Sequence, residues 1–376
     1  MYKFAFASLV ALVACAPQRG GGRKATAQQQ AAQVPQGISQ ATDGSMILDA
    51  TVNINQLPIR FKIAAPADQF TAASGVPGAA AASGANGTMG VNVLLHGDGG
   101  QSFFDFPNQN LQANTMGVAL LAPNANLFWG GGSGLDRTDG AAHAQAVADF
   151  VTTTMPQLVA FDAANVKFTG VSGGSLLMSG FFIPAQMQNF ANSAVELNCG
   201  AMPPQVPFAD ANTVMSSLRI HYQSTQSELT LLQDAIPQAV AAYEQLAADA
   251  GLGADQINAL QTVDNTPAGG HCEFDGNDFV TGVQTMLTSY SNVVQGGDGV
   301  VAGLGAPSTG NVLTGVVGNE NLKFAAGGRK RDAGVESMVV RRWAEGLEGR
   351  QRRRRQDVVV EEAGVAMLAC DRMTCN

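Results

Sequence analysis

The chain has 376 residues and a formal net charge of −9, and its content of 14% charged and 45% hydrophobic residues excludes a disordered acidic polymer. Residues 326–376 hold 11 Lys or Arg and 8 Asp or Glu, whereas the preceding 325 residues hold 10 basic and 22 acidic side chains. A body this acidic would repel phosphate backbones, which argues against nucleic acid as the main partner.

The N-terminus predicts secretion. Lys3 precedes the apolar run Phe4–Ala14, and Ala14-Cys15-Ala16 then supplies small residues for cleavage, so residues 1–16 are expected to be a signal peptide. The run is too short to span a bilayer as a stable helix. Leu12–Cys15 also resembles a bacterial lipobox, in which case Cys15 would be lipidated and retained. Residues 17–45 are rich in Gly, Gln and Ala and predict a leader or linker.

The central region, residues 46–325, alternates strand-like and helix-like patterns. Two β-rich runs joined across Asn55-Gln56 predict a hairpin, Met46–Ile54 and Leu57–Ala64. Short apolar runs predict buried strands at Val91–Leu95, Val118–Leu121, Asn165–Phe168 and Leu218–Tyr222. Helical patterns cover Ala141–Leu158, Ser175–Gln188, Glu228–Ala250 and Asp278–Val294. This alternation predicts an α/β fold with a mostly parallel central sheet and helices on both faces.

The C-terminal segment, residues 326–376, differs from the body. It begins near Gly327–Arg331, and Lys330-Arg331 and Arg341-Arg342 are typical dibasic processing sites, so we expect a basic tail that is disordered or removed. The alternative is a short strand and helix closed by a Cys370–Cys375 bridge. Arg352–Arg355 is also typical of a nuclear or nucleic-acid signal, which the predicted secretion argues against. No segment after the signal is long and apolar enough for a membrane span.

A serine in a tight glycine turn is the strongest chemical signal. Asn165–Phe168 leads through Thr169 into Gly170-Val171-Ser172-Gly173-Gly174, followed by a helical pattern. In a G-x-S-x-G turn, small residues allow a sharp bend that raises the serine hydroxyl above the sheet at a helix N-terminus. Ser172 is therefore the candidate nucleophile.

A second glycine-rich loop, His96–Gly100, follows the strand that begins at Val91. Such loops expose main-chain N–H groups to a developing oxyanion, so Gly97 or Asp98, together with Gly173, are the candidate oxyanion donors. A phosphate loop or a plain turn is the alternative, but no G-x-x-x-x-G-K-[ST] sequence is present.

The candidate general base is found by elimination among four histidines. His96 belongs to the oxyanion loop, His143 lies in a helical stretch and His221 lies in a strand. His271 lies in a glycine-flanked loop beyond the predicted strands, in agreement with the chain order serine, acid, histidine. A solvated loop histidine is the alternative.

The candidate acid should follow the strand Leu218–Tyr222. Glu228 is the first carboxylate after that strand, and a glutamate orients an imidazole as an aspartate does. Its other interpretation is a carboxylate at a helix N-terminus. Asp234 and Asp264 remain alternatives.

The cysteine count fits an oxidising compartment. If Cys15 leaves with the signal, four cysteines remain, and the simplest pairing joins Cys199 to Cys272 and Cys370 to Cys375. Free buried thiols are the alternative.

These residues give the chain a resemblance to the α/β-hydrolase superfamily, and within it to secreted, fungal-type polyhydroxybutyrate depolymerases and feruloyl esterase-like serine esterases. The resemblance spans residues 46–294 and depends on His96-Gly97, Gly170–Gly174 and Gly270-His271-Cys272. It implies an α/β-hydrolase fold and a disulfide from Cys272, beside the histidine, to Cys199. The chain departs from the group in having Glu228 where Asp is usual, and in the long helical stretch Thr230–Leu260.

The predicted function is a secreted serine esterase that forms an acyl-enzyme on Ser172 and needs no metal or organic cofactor. An apolar or aromatic acyl group is expected because apolar side chains lie near the candidate loops in sequence, although about half should be core. They are Phe103, Phe104, Phe106, Trp129, Met178, Phe181 and Phe182. The alternatives are a non-catalytic binding or surface protein with the same fold, and a serine peptidase. Asn86-Gly87-Thr88 is a predicted N-glycosylation site.

Overall fold

The computed structural model describes residues 35–106, 108–109, 114–190, 192–277 and 313–325. In chain order the strands are β1 Gly37–Gln40, β2 Met46–Ile54, β3 Leu57–Ala65, β4 Gly90–Leu95, β5 Thr115–Leu121, β6 Val166–Val171, β7 Ala194–Asn198, β8 Arg219–Gln223, β9 Gln261–Asp264 and β10 Leu313–Gly315. The helices are α1 Gln101–Asp105, α2 Gly140–Asp149, α3 Met155–Leu158, α4 Gly173–Leu177, α5 Ile183–Gln186, α6 Ala211–Met215, α7 Thr230–Asp249 and α8 Ala254–Leu260.

All ten strands form one sheet in the order β1-β2-β3-β5-β4-β6-β7-β8-β9-β10. Adjacent strands are parallel within the segment β5-β4-β6-β7-β8-β9, whereas the pairs β1–β2, β2–β3, β3–β5 and β9–β10 are antiparallel. The predicted mostly parallel sheet is confirmed. Because β4 pairs with both β5 and β6, the chain reverses its direction of winding beside β4, and in open α/β sheets such a point is where ligands bind.

Most predicted elements are present, with shifted bounds. The hairpin forms across Asn55-Gln56, which have φ values of 51° and 69° as a two-residue hairpin turn requires. Four short strands were not predicted, namely β1, β7, β9 and β10. β1 lies within the segment predicted as a leader, so the sheet begins before residue 46, and β9 and β10 close the other edge. The predicted helix Asp278–Val294, both ends of the chain before residue 35 and the tail beyond residue 325 lie outside the described residues.

Two helices contain a π turn immediately before a proline. Phe150–Thr154 joins α2 to α3, and Met178–Phe182 joins α4 to α5, so each predicted long helix is continuous in path. Pro156 and Pro184 occupy the first turns of α3 and α5. A proline donates no N–H and its ring clashes with the preceding turn, and the wider π turn accommodates both effects.

The core covers both faces of the sheet. On one face, the register partners Val93 of β4 and Val118 of β5 belong to the larger apolar cluster, which also contains Val147 of α2, Ile236 of α7 and Ile257 of α8. The other face carries Leu94 and Ala119, which belong to a smaller cluster with Phe103 of α1 and Phe274. Helices on both faces were predicted and are confirmed.

A buried polar row crosses the second face. Thr169, Glu196 and His221 are register neighbours on β6, β7 and β8, and all three are fully buried. The Thr169 hydroxyl donates a hydrogen bond to Asn92 Oδ1 at 3.0 Å. Burial raises the pKa of Glu196 to about 7, because its charged form loses contact with water.

Candidate active site

Ser172 occupies a strained turn between β6 and α4. Its φ of 50° and ψ of −111° place it in a region that residues other than glycine rarely adopt. Glycines permit this turn, because a Cβ at Gly170 would lie 2.6 Å from Ser175 Cα and one at Gly174 would lie 2.1 Å from the Leu95 oxygen. The Ser172 N–H donates to the Asn198 oxygen at 2.8 Å, which fixes the turn against β7.

The structure brings Ser172, His271 and Glu228 together. Ser172 Oγ lies 2.8 Å from His271 Nε2, and His271 Nδ1 is hydrogen-bonded to Glu228 Oε1. The Glu228 side chain is fully buried, and that of His271 is 11% exposed. With Nδ1–H donating to the carboxylate, Nε2 is free to accept the serine proton. This geometry allows proton transfer from the hydroxyl to the imidazole.

Two neighbouring loops hold the carboxylate and the imidazole in place. One follows β8 and leads to Glu228, and the other follows β9 and leads to His271. The Gln226 N–H donates to the Pro267 oxygen at 2.8 Å, and the Ser227 N–H donates to the Gly269 oxygen at 3.2 Å. The Thr225 hydroxyl donates to the Gly270 oxygen at 2.9 Å. The bonds continue the pairing of β8 with β9 up to the site.

A disulfide between Cys199 and Cys272 fastens the histidine loop to the end of β7, as predicted. The two Cα atoms lie 5.4 Å apart, and both residues are fully buried. Cys199 follows Asn198, whose carbonyl binds the Ser172 N–H. The bridge therefore links the loop of His271 to the chain segment that supports the serine turn.

The two alternative acids lie elsewhere. Asp234 is exposed on α7. Asp264 is buried, and its Oδ1 accepts hydrogen bonds from the N–H and hydroxyl of Thr266 at 2.8 and 2.7 Å. Of the three predicted acids, Glu228 is the one that is bonded to His271.

The predicted oxyanion loop lies against the start of α4. A Cβ at Gly173 would lie 3.2 Å from the Asp98 backbone nitrogen and 2.0 Å from its Oδ1, so Gly173 and Asp98 are in contact. The Gly100 N–H donates to the Gly97 oxygen at 3.0 Å, which closes the loop as a turn. The Asp98 N–H thus lies beside Gly173, the other predicted oxyanion donor.

Arg137 also belongs to this region and was not predicted. Its Nη1 and Nη2 donate to Asp98 Oδ1 and Oδ2, each at 2.8 Å, and Nη1 also donates to the Trp129 oxygen at 3.1 Å. The Arg137 side chain is fully buried, and that of Asp98 is 12% exposed. The one available signal was that Arg137 is among the few basic residues of an acidic body.

The other three histidines have structural partners. His96 Nδ1 donates to the Gly97 oxygen at 2.6 Å and Nε2 accepts from the Ala122 N–H at 2.9 Å. Burial lowers the pKa of His96 to about 4 and also lowers the pKa of His143, whose Nδ1 accepts from the Gly130 N–H. His221 bonds Thr262 and Gln223 within the sheet. None of the three contacts Ser172, which agrees with the choice of His271.

Most of the apolar side chains predicted near the site are core residues. Phe103, Trp129, Met178 and Phe182 are fully buried, and Phe106 and Phe181 are nearly so. Phe104 keeps partial exposure. The expected division into half core and half pocket therefore understates how many are core.

One group of candidate metal-ligand atoms occurs among the described residues. Atoms of Cys199, His271 and Cys272 lie within 4.8 Å of one another. The two sulfur atoms are joined in the disulfide, so they offer no thiolates to a metal.

Asn86, the predicted glycosylation site, is exposed, and its backbone forms an isolated parallel bridge with Phe161.

Comparisons with known proteins give only weak likenesses. No family model matches the chain, and no curated protein matches it. Among solved structures, an arylesterase is 10% identical, with a TM-score of 0.41 over 70% of this chain and 87% of that one. A ferulic acid esterase is 14% identical, with a TM-score of 0.39 over 65% and 96%. A thermostable esterase is 14% identical, with a TM-score of 0.38 over 54% of this chain and 52% of the esterase, about half its length.

No helix among the described residues is long and apolar enough to cross a membrane.

The sheet topology and the positions of the site residues identify the fold. The sheet reverses winding beside β4, Ser172 occupies a G-x-S-x-G turn after β6, and the carboxylate and histidine follow β8 and β9. That strand order, that turn and the chain order serine, carboxylate, histidine are those of an α/β-hydrolase, and the chain has the α/β-hydrolase fold.

Proposed function

We propose that the protein is a serine hydrolase that cleaves carboxylic esters through an acyl-enzyme on Ser172. The observation that carries this proposal is the continuous chain of hydrogen bonds from Ser172 Oγ through His271 to the buried Glu228. The strained backbone at Ser172 also supports the interpretation as an enzyme, because such strain costs stability and persists only where the surrounding structure enforces it. A binding protein with the same fold has no need of either feature.

In the proposed first half-reaction, Ser172 Oγ attacks the ester carbonyl carbon while His271 Nε2 takes the hydroxyl proton. The N–H groups of Asp98 and Gly173 hold the oxyanion, with Gly97 as the alternative donor. His271 then returns the proton to the departing alcohol, which leaves an acyl group on Ser172. Glu228 stabilises the imidazolium and keeps Nδ1 protonated, as an aspartate does in related triads.

The second half-reaction repeats the same steps with water. His271 accepts a proton from water, the hydroxide attacks the acyl carbonyl, and the proton passes to Ser172 Oγ as the acid leaves. The side chains and N–H groups of the site supply every proton transfer and charge contact in this scheme, so the proposal includes no metal or organic cofactor.

The natural setting that we propose is extracellular. The predicted signal peptide and the Cys199–Cys272 disulfide both fit an oxidising compartment. We propose that the acyl group is apolar or aromatic, because the partly exposed Phe104 lies beside Gly100 of the oxyanion loop. A series of p-nitrophenyl esters with short alkyl, long alkyl and aromatic acyl groups would rank these choices.

The test is labelling with a fluorophosphonate probe followed by peptide mapping. We expect labelling at Ser172, its loss in Ser172→Ala and His271→Ala, and no change in Ser83→Ala, which removes an exposed hydroxyl far from the turn in sequence. Wild-type protein that is folded and disulfide-bonded but unlabelled would favour the non-catalytic binding protein. Comparison of matched ester and anilide substrates then separates an esterase from a peptidase.

A further inference from the structure

The proposed oxyanion site has an acidic side chain at its edge. Asp98 supplies one N–H donor, and its carboxylate lies so close to Gly173 that a Cβ there would lie 2.0 Å from Oδ1. Gly173 supplies the other donor. A negative charge at this place opposes the negative charge that develops on the substrate oxygen, and in a partly buried site it is poorly screened.

Arg137 lies where it compensates that charge. Both of its terminal nitrogens bond the Asp98 carboxylate at 2.8 Å, in the bidentate geometry that is the strongest form of this pair. Its side chain is excluded from solvent, so it is not available to substrate. Its contacts in the site are Asp98 and the Trp129 carbonyl.

The segment that presents Arg137 is itself held firmly. Gly130, Gly131 and Gly132 all have φ between 62° and 77°, so the chain bends back on itself. The Asp139 N–H donates to the Gly130 oxygen at 2.7 Å, and the Gly130 N–H donates to His143 Nδ1 at 2.8 Å. The glycine turn is thus anchored to His143 of α2, and the Arg137 guanidinium bonds both the Trp129 oxygen and Asp98 of the oxyanion loop.

We propose that Arg137 is a positioning residue for ester hydrolysis, which neutralises the Asp98 carboxylate and fixes the Asp98 N–H towards the oxyanion. This inference rests on the proposed function. A positioning role and a purely structural role for Arg137 predict different results. If Arg137 acts by neutralising Asp98, the loss of kcat in Arg137→Met should be reversed when the charge of Asp98 is also removed.

The chain offers a matched control for a buried ion pair. Arg60 of β3 and Asp49 of β2 also form a bidentate ion pair, with Nε and Nη2 each 2.8 Å from a carboxylate oxygen. Their side chains are 8% and 9% exposed. Arg60→Met therefore reports the general effect of breaking a buried pair in this fold.

The experiment compares wild type, Arg137→Met, Asp98→Asn, the double variant Arg137→Met/Asp98→Asn, and Arg60→Met. For each, kcat and KM on a p-nitrophenyl ester, the rate of fluorophosphonate labelling at Ser172 and the thermal midpoint are measured. We expect Arg137→Met to lower kcat and the labelling rate by roughly 10²-fold, the size of effect seen when one oxyanion donor is lost, with KM little changed.

The decisive variant is the double one. We expect it to recover at least about tenfold of the loss in kcat that Arg137→Met shows. Asp98→Asn alone should lower the thermal midpoint, because it leaves the buried Arg137 guanidinium without a counter-charge. Arg60→Met should lower the thermal midpoint and leave kcat within about twofold. Because the double variant contains no uncompensated buried charge, it remains informative even where Arg137→Met is poorly folded.

Two results would overturn the inference while leaving the proposed function intact. One is wild-type labelling at Ser172 with an unchanged labelling rate in Arg137→Met. The other is a double variant that is as slow as Arg137→Met or slower, which would assign the pair a structural role. Absence of labelling in the folded wild type would instead remove the proposed function, and the inference with it.

Discussion

The hydroxyl of Thr225 donates a hydrogen bond to the carbonyl oxygen of Gly270, the residue that precedes His271. This bond joins the loop of the carboxylate to the loop of the imidazole at the point nearest the proposed reaction. We therefore expect it to align His271 more directly than the bonds further along the two loops.

Thr225→Val removes this bond with little change in side-chain shape. We expect kcat for ester hydrolysis to fall several-fold, because His271 gains freedom, at a cost of about 1 kcal/mol in the free energy of unfolding. The matched control is Thr71→Val, since the Thr71 hydroxyl bonds the Gln157 oxygen at 2.6 Å. The two variants should lose similar stability, and equal kcat values would refute the assigned role of Thr225.

Glu228→Gln should lower kcat far more than the same carboxylate-to-amide replacement at Asp264 or Asp234. The amide cannot stabilise the imidazolium and favours the wrong tautomer of His271, so we expect kcat to fall by about 10⁴-fold. Asp264→Asn and Asp234→Asn serve as controls and should leave kcat nearly unchanged. Steady-state kinetics on one ester checks all three, and a larger loss in Asp264→Asn than in Glu228→Gln would transfer the role of acid to Asp264.

Loss of the disulfide should affect stability and rate together. The bridge closes a loop with a sequence separation of 73 residues, so Cys199→Ala/Cys272→Ala should lose about 4 kcal/mol in the free energy of unfolding on the chain-entropy account. The rate of fluorophosphonate labelling should also fall, because Cys272 adjoins His271. Dithiothreitol should shift the wild-type urea midpoint towards that of the double variant and leave the variant unchanged. A shift of equal size in both would assign the reductant effect to another site.

Glu196 should make the stability of the fold depend on pH. Burial raises its folded-state pKa from 4.5 to about 7, so the folded state holds more protons than the unfolded state between these values. The stability is therefore fully present below about pH 4.5 and is lost as the pH rises through about 7. Glu196→Gln removes this loss. Above about pH 7, its free energy of unfolding should exceed that of wild type by up to roughly 3 kcal/mol.

Urea unfolding at about pH 4.5 and about pH 8 measures the effect of Glu196. Asp234→Asn changes the same charge at an exposed position and should follow the wild-type pH profile. Parallel profiles for wild type and Glu196→Gln would show that the carboxyl is already ionised in the folded protein.

The serine turn was predictable because its signal is local. Gly170, Gly173 and Gly174 surround Ser172 at fixed offsets, and a β-rich run precedes them. His271 was reached by elimination, because each of the other histidines lies inside an element or the oxyanion loop, and the structure places its Nε2 2.8 Å from Ser172 Oγ. The choice of Glu228 followed from its place after β8.

Arg137 could not be predicted, because its partnership with Asp98 spans 39 residues and has no sequence motif. β7, β9 and β10 were missed because each is short, at five, four and three residues, and the charged Glu196 also interrupts the apolar run of β7. Seven apolar residues near the candidate loops suggested a pocket, but sequence proximity does not show which face of an element a side chain occupies.

The paired loops after β8 and β9 also explain how a long helical stretch is accommodated between the acid and the histidine. The chain leaves the site after Glu228, forms α7 and α8, and returns through β9, while the bonds from Gln226 and Ser227 to the second loop fix both points of departure and return. The separation of the carboxylate and the imidazole is thus independent of the length of chain between them. A change in the length of the α7–α8 connection should therefore leave both groups in place.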